Sequence, residues 1–365
     1  MIWNWQHPNW PNFVFEPSLF IENEITFSNL CGKSQGYLKV ISKADLDQFK
    51  VDILSQEGAE SAKIEGEILD RESLQSSIGR QFGLDPLLKK ESLKEQGMAE
   101  ALLDVYKTFK DPLDHNTLFR WHDYLFKSST ELDCIGSYRN HSEPMQIVSN
   151  KYGSDKVYFE APPSSVVFAE MSRFINWYNN FQGMLLVKAS IAHVFFESIH
   201  PFEDGNGRIG RLIVEKTLSQ GLNHPSLISI SKLLEEKKKD YYNELEKCNC
   251  SLIIDSWIAF FSEKIIEAQK TSLSLLEFII LKSKIFTSLK DSLNARQTKA
   301  LLRVFREGPE GFKGGLSADN YISITKTSRA TATRDLQDLV SKSVFLQKGE
   351  LKSTRYFINP DFSIY

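Results

Sequence analysis

His200-Pro201-Phe202-Glu203-Asp204-Gly205-Asn206-Gly207-Arg208-Ile209-Gly210-Arg211 is the stretch on which the reading of this 365-residue chain turns. The run before it, Leu185 to Ile199, is apolar on almost every side, as a helix at the centre of a helical body would be. Pro201 and the glycines break that helix, and a second is expected from near Arg208 to about Gln220. The stretch is thus a loop between a buried helix and the N-terminus of the next. Gly205-Asn206-Gly207 lets consecutive N–H groups converge, and the positive end of the following helix dipole adds to them, which makes an anion site. Arg208 and Arg211, three apart, project to one side of that helix, where a guanidinium fork fits phosphate oxygens. Asp204 is a hard oxygen ligand of the kind that shares Mg²⁺ with substrate phosphates. His200 ends a rigid helix and can take a proton from an incoming hydroxyl. Each part alone has a plain structural reading, a helix-end histidine or an ordinary turn. Together they are the parts of a phosphoryl-type transfer.

The chain on either side reads as mainly helical. Residues 1–20 are dense in Trp, Pro and Phe and suit an extended arm clamped onto a helical body. Between about Pro17 and Gly83, Leu46, Phe49, Ile53 and Leu54 recur at helical steps, and Ser61 and Glu65 share a helix face just before Gly66. Further stripes hold Met98, Leu102, Leu103, Val105 and Tyr106, then Leu118, Trp121, Leu125 and Phe126 behind a cap at Asp114 or Asn116. Residues 145–148 and 156–159 are short β-prone runs around a turn-rich 149–155, one hairpin whose open edge can accept an extended peptide. A helix starts near Lys237, and residues 253–289 form a long amphipathic one. The end of the chain shows three short helices at 297–305, 317–324 and 329–342, the last capped by Thr327-Ser328, and then two strands, the order of a winged helix-turn-helix.

The net charge of -3 argues against a wholly nucleic-acid-binding protein. The charge is uneven: residues 294–365 carry 12 Lys and Arg against 7 Asp and Glu. The four cysteines lack zinc or disulfide spacing. No segment has the ~18 apolar residues of a membrane span, and the opening residues do not form a signal peptide. A cytoplasmic protein without membrane contact is expected. The domain reading is residues 1–90, 91–290 and 291–365.

The loop resembles the Fic motif, H-x-F-x-[D/E]-G-N-G-[R/K]-x-x-R, at every specified position. The resemblance implies a mainly α fold: a Fic helical core with a β-hairpin flap over 145–160, an N-terminal helical domain and a C-terminal winged helix-turn-helix. It implies an adenylyltransferase that moves AMP from ATP, with Mg²⁺, to a Ser, Thr or Tyr hydroxyl of a target protein docked on the flap, or to itself. Carried onto this chain, His200 is the general base, Asp204 the Mg²⁺ ligand and Phe202 a core anchor. Glu203, Asp204, Gly205, Asn206, Gly207 and Arg208 surround the nucleotide, with Asn206 at the α-phosphate and Arg211 at the γ-phosphate. Tyr241, Tyr242 and Asn249 resemble a segment lining the adenine pocket, although relatives often continue with Gly-Asp where Cys250-Ser251 stands. Ser61 to Gly66 is similar to an inhibitory motif, [S/T]-x-x-x-E-[G/N], which implies that Glu65 pairs with Arg211 and displaces the γ-phosphate. Two activities on the same fold stay open: phosphate transfer of the Doc-like kind, disfavoured by the intact G-N-G-R-x-x-R, and removal of AMP with Glu65 as base. A reading from another class is a DNA-binding regulator with Arg329, Thr331, Thr333 and Arg334 on its recognition helix. Oligomeric state, a homodimer included, is not set by the sequence.

Overall fold

A computed structural model describes residues 2–84, 92–148, 157–309 and 311–362. In chain order its helices are α1 (Ile21–Val40), α2 (Lys43–Ile64), α3 (Arg71–Gln81), α4 (Leu93–Thr108), α5 (His115–Phe126), α6 (Ser164–Asn180), α7 (Leu185–Ile199) and α8 (Asn206–Leu222). They continue as α9 (Ile230–Glu236), α10 (Lys238–Cys248), α11 (Asp255–Ser288), α12 (Ala295–Arg306), α13 (Ala318–Thr325) and α14 (Arg329–Ser341). The strands are β1 (Gln146–Val148), β2 (Val157–Glu160), β3 (Phe345–Lys348) and β4 (Arg355–Ile358), paired antiparallel as β1–β2 and β3–β4. The fold is mainly α with small hairpin sheets, as the sequence led us to expect. The expected turn at residues 149–155 lies outside the described residues.

Local chemistry explains the helix boundaries. Asp114 accepts the Thr117 N–H at 2.7 Å and so starts α5; Ser328 caps α14 through the Thr331 N–H. α7 is buried on nearly every face, which its composition requires. α8 begins at Asn206, two residues earlier than expected, because Gly205 takes the left-handed cap (φ 80°) that lets the chain turn straight into the helix.

Two compact units result. The first comprises Met1–Gly32 and Leu46–Ser272. Within it the expected boundary after residue 90 has no counterpart in the packing. Val51, Leu54 and Leu74 share one core with Met98, Leu102 and Trp121, so neither stretch closes a core alone. A second cluster joins Phe20 and Phe27 to Val194, Trp257 and Phe261. The aromatic arm at the N-terminus packs within the same unit, against the first core and a small cluster around Phe159. Trp3 meets Phe159 edge-on, Trp10 meets Phe195, and the Trp5 indole N–H donates to the Glu160 carbonyl at 2.7 Å. The second unit comprises Lys33–Asp45 and Leu273–Tyr365 and begins inside α11, ahead of the expected residue 291. Ile285 belongs to its core with Leu301, Tyr321, Leu336 and Phe345, which fixes that earlier start.

Candidate active site

α7 delivers His200, which closes the helix in a left-handed conformation (φ 49°, ψ 60°) while its N–H still reaches the Phe196 carbonyl at 3.0 Å. Such a backbone is strained for a residue with a Cβ, and its surroundings over-determine it. Arg139 Nε donates to the His200 carbonyl at 2.8 Å, and the Arg139 N–H to the Pro201 carbonyl at 3.0 Å. Phe202 is fully buried and stacks on His122 with ring centroids 4.3 Å apart. His122 Nδ1 accepts the Gly136 N–H at 3.0 Å, so the ring's proton sits on Nε2, on the side of the Asp204 backbone. Asn206 then brackets the loop, accepting the Phe202 N–H and donating to the Phe202 carbonyl, both at 2.9 Å. Its side chain is engaged with the loop, and its backbone N–H opens α8. The N–H groups of Asn206, Gly207 and Arg208, the first turn of α8, form the positive end of that helix. A Cβ at Gly205 would overlap the Phe126 ring, and one at Gly207 would overlap the Glu65 carboxylate, so both glycines are close-approach points.

Both arginines are held by the end of α2 and the residues after it. Arg211 is 1% exposed. Its Nε donates to Ser61 Oγ and its Nη2 to the Ser61 carbonyl, both at 2.8 Å, and Nη2 lies 2.8 Å from Glu65 Oε1. Burial works against the charge, yet Glu65 outweighs it and raises the guanidinium pKa further. Arg208 lies 2.7 Å from Glu67 Oε2 and 3.4 Å from Asp204 Oδ2, with its guanidinium over the Phe126 ring. Lys94 grips the other Glu67 oxygen at 2.6 Å. A cavity of about 470 Å³ opens beside this set, lined in part by Glu65, Glu67, Lys94, Phe126, Asp204 and Arg208.

His200 is kept neutral. Burial, then the Arg139 charge, pull its pKa down to about 4, against weaker pulls from the Glu197 carbonyl, Glu65 and Asp204. Burial, then the Glu65 charge, push Glu197 up to about 8. The 3.7 Å approach of Glu197 Oε2 to His200 Nδ1 therefore joins two neutral groups near pH 7. A neutral imidazole is the form that can accept a proton.

Asp204 stands at the outer rim with its side chain 58% exposed. Among the described residues no group of three His, Cys, Asp or Glu could hold a metal. The donor set still fits Mg²⁺, which binds through one or two carboxylates with phosphate oxygens and water rather than in an all-protein cage.

Other expected residues are placed differently. Glu203 Oε2 accepts the Asp133 and Cys134 N–H groups at 3.0 and 3.3 Å, so this carboxylate ties down a neighbouring loop rather than reaching for a nucleotide. Tyr241 is a core side chain, its hydroxyl 2.7 Å from His193 Nε2, and does not wall an open pocket. Tyr242 is partly exposed and donates to the Ile64 carbonyl at 3.3 Å, next to Glu65. Asn249 donates to the Tyr158 carbonyl of β2 at 3.1 Å. Sequence reasoning missed Glu67, Lys94, His122 and Arg139. Glu67 could have been found as a second carboxylate two residues past Glu65; the other three gave no local signal.

Residues 112–218 match the Fic/DOC family, and residues 3–84 match a domain of unknown function (DUF4172). Over 86 residues the chain is 38% identical to a probable protein adenylyltransferase of Aquifex aeolicus (strain VF5), 22% of this chain and 27% of that one. Over 82 residues it is 37% identical to the protein adenylyltransferase Fic of Culex quinquefasciatus, 22% of this chain and 15% of that one. The matches thus span about a quarter or less of these curated relatives. A Fic family protein from Desulfovibrio desulfuricans G20 superposes with a TM-score of 0.54 at 19% identity, over 95% of this chain and 98% of that one. A Fic domain containing signaling protein from Bacteroides thetaiotaomicron VPI-5482 does so at 0.53 and 22% identity, over 69% and 95%. At such identities both show the fold alone.

Proposed function

We propose, from the match of residues 112–218 to the Fic/DOC family, that the chain is a protein adenylyltransferase held inactive by the end of its own α2 and the residues after it. The substrate is ATP, and the acceptor is a Ser, Thr or Tyr hydroxyl of a target protein. His200 takes the hydroxyl proton, the freed oxygen bonds to the α-phosphorus, and the bond from that phosphorus to the bridging oxygen breaks to release pyrophosphate. The N–H groups at the start of α8 and the two arginines hold the phosphates. Mg²⁺, held at Asp204, would supply charge neutralisation on them. The target is read as a strand added along β1. The Tyr158 and Glu160 carbonyls of β2 are already taken by Asn249 and Trp5, which among the described residues leaves β1 as the open edge.

The single observation that carries the inhibited state is Glu65 on Arg211 at 2.8 Å, with Gly207 leaving space for that carboxylate. One carboxylate occupies the guanidinium that a γ-phosphate needs, and a misplaced γ-phosphate carries the α-phosphate out of line with His200. Replacing Glu65 by Gly should raise self-modification with labelled ATP by roughly 100-fold, the scale of an ångström's misplacement. Adding His200→Ala should abolish that gain and spare ATP binding. A Glu65→Gly variant that binds ATP but stays as silent as its parent would sink the inhibitory reading.

A further inference from the structure

We propose that Arg139 is the positioning residue of the base: it fixes the carbonyl end of α7 behind His200 and ties it to the root of the β1–β2 hairpin. The proposal rests on the reading of His200 as that base. Arg139 is 2% exposed. Its Nε donates to the His200 carbonyl at 2.8 Å and its Nη2 to the Ile199 carbonyl at 3.4 Å. The same Nη2 donates to the Pro162 carbonyl at 2.5 Å and Nη1 to Ser164 Oγ at 3.0 Å, just beyond β2. One fork thus spans the strained His200 backbone and the segment by which the hairpin rejoins α6. A hairpin moved by a docked target would act on His200 through this side chain.

The charge has its own consequence. All partners described for Arg139 are neutral oxygens, and burial lowers its pKa only to about 10, so it stays cationic near pH 7. A buried cation is costly, and holding carbonyls does not by itself require one. At this place it faces the negative end of the α7 dipole and the imidazole beyond. Around His200 stand burial and the Arg139 charge on one side, with the Glu197 carbonyl, Glu65 and Asp204 opposing, and the Glu197 carboxyl at 3.7 Å. Arg139 is the charge in that set that works to keep the base unprotonated.

The test compares Arg139→Lys and Arg139→Gln in the Glu65→Gly background, reading AMP transfer against pH and ATP binding separately. Both should lose roughly 10- to 100-fold in maximal rate through a loosened His200. In Arg139→Gln the acid limb of the rate should move up towards the ordinary histidine value of about 6.5, while Arg139→Lys, which keeps the charge, leaves it near the parent position. A purely structural arginine would lower the rate of both and move neither limb; that outcome in an ATP-binding Arg139→Gln overturns the proposal. Should Arg139→Gln fail to fold, the His200 titration is followed by NMR in Arg139→Met and Arg139→Lys, both in the Glu65→Gly background, with its signal assigned by loss in His200→Ala. A His200 signal that titrates at higher pH in Arg139→Met than in Arg139→Lys supports the proposal, and the same titration in both contradicts it. Transfer that survives His200→Ala would instead remove the base itself, a separate failure.

Discussion

Arg211 and Arg208 each meet a carboxylate from one short segment, Glu65 on the first and Glu67 on the second. The two pairs differ in setting. Arg211 is fully enclosed and also bonded to Ser61, whereas Glu67 divides its oxygens between Arg208 and Lys94. If both arginines serve phosphates, freeing one leaves the other occupied. In the Glu65→Gly background, Glu67→Gln should therefore tighten ATP binding by roughly 10-fold, the scale of one charge-assisted hydrogen bond. Calorimetric titration with ATP reads this directly, and an unchanged Kd would mean that the Glu67–Arg208 pair is only a fastening. The sequence shows Glu67 as one charge among many. Its partner lies 141 positions on, so the contact becomes visible only once α2 and α8 are packed.

The unit of chemistry is the element trio of α7, loop and α8, and much of it is legible from residue types. An all-apolar run predicts a buried helix, Pro201 ends it, and an amide flanked by two glycines predicts an anion-binding helix start. What stays hidden is how the loop is held. Asn206 clamps Phe202, His122 stacks on it, and Arg139 gathers carbonyls from residues 162, 199 and 200, contacts that no spacing rule announces. The burial of Tyr241 was hidden for the same reason, since a tyrosine beside another tyrosine gives no sign of which is buried. Two left-handed glycines separate strain from space. Gly205 (φ 80°) has the Phe126 ring where a Cβ would go, whereas Gly66 (φ 84°) faces open space. Gly66→Ala should cost about 1–2 kcal/mol of stability from backbone strain alone. Gly205→Ala should cost more and also abolish ATP binding. Thermal melts with an ATP titration separate the two, and equal losses would contradict the contact drawn for Phe126.

Buried titratable groups make the stability of the whole molecule pH-dependent. The folded-state values of Glu215 and Glu197 are raised, chiefly by burial, to about 7 and about 8. Burial lowers His122 and His200 to about 4 and His193 to about 3. The histidines bind fewer protons folded than unfolded, so their contribution rises with pH and is complete by about 6.5. The carboxyls hold protons that the unfolded chain releases, so theirs falls as pH climbs from about 4.5 to their folded values. Below about 6.5 the two oppose each other; from there to about 8 only the fall remains. Denaturant midpoints should drop over that upper window, and Glu215→Gln should flatten the drop; a midpoint that rises there would contradict the assignment. In the second unit, α12, α13 and α14 precede the β3–β4 pair, the order expected from the sequence, and Arg329 and Arg334 stand exposed on α14. The DNA-binding reading of that unit requires affinity for duplex DNA that falls steeply with salt, and no binding at low salt removes it. The catalytic claim is tested most directly by intact-protein mass spectrometry after incubation with ATP and Mg²⁺. The account predicts one or more added AMP groups on the Glu65→Gly protein, few on the parent and none once His200→Ala is added. Added phosphate in place of AMP, or an unmodified Glu65→Gly protein that binds ATP and is offered accessible hydroxyls, would contradict it.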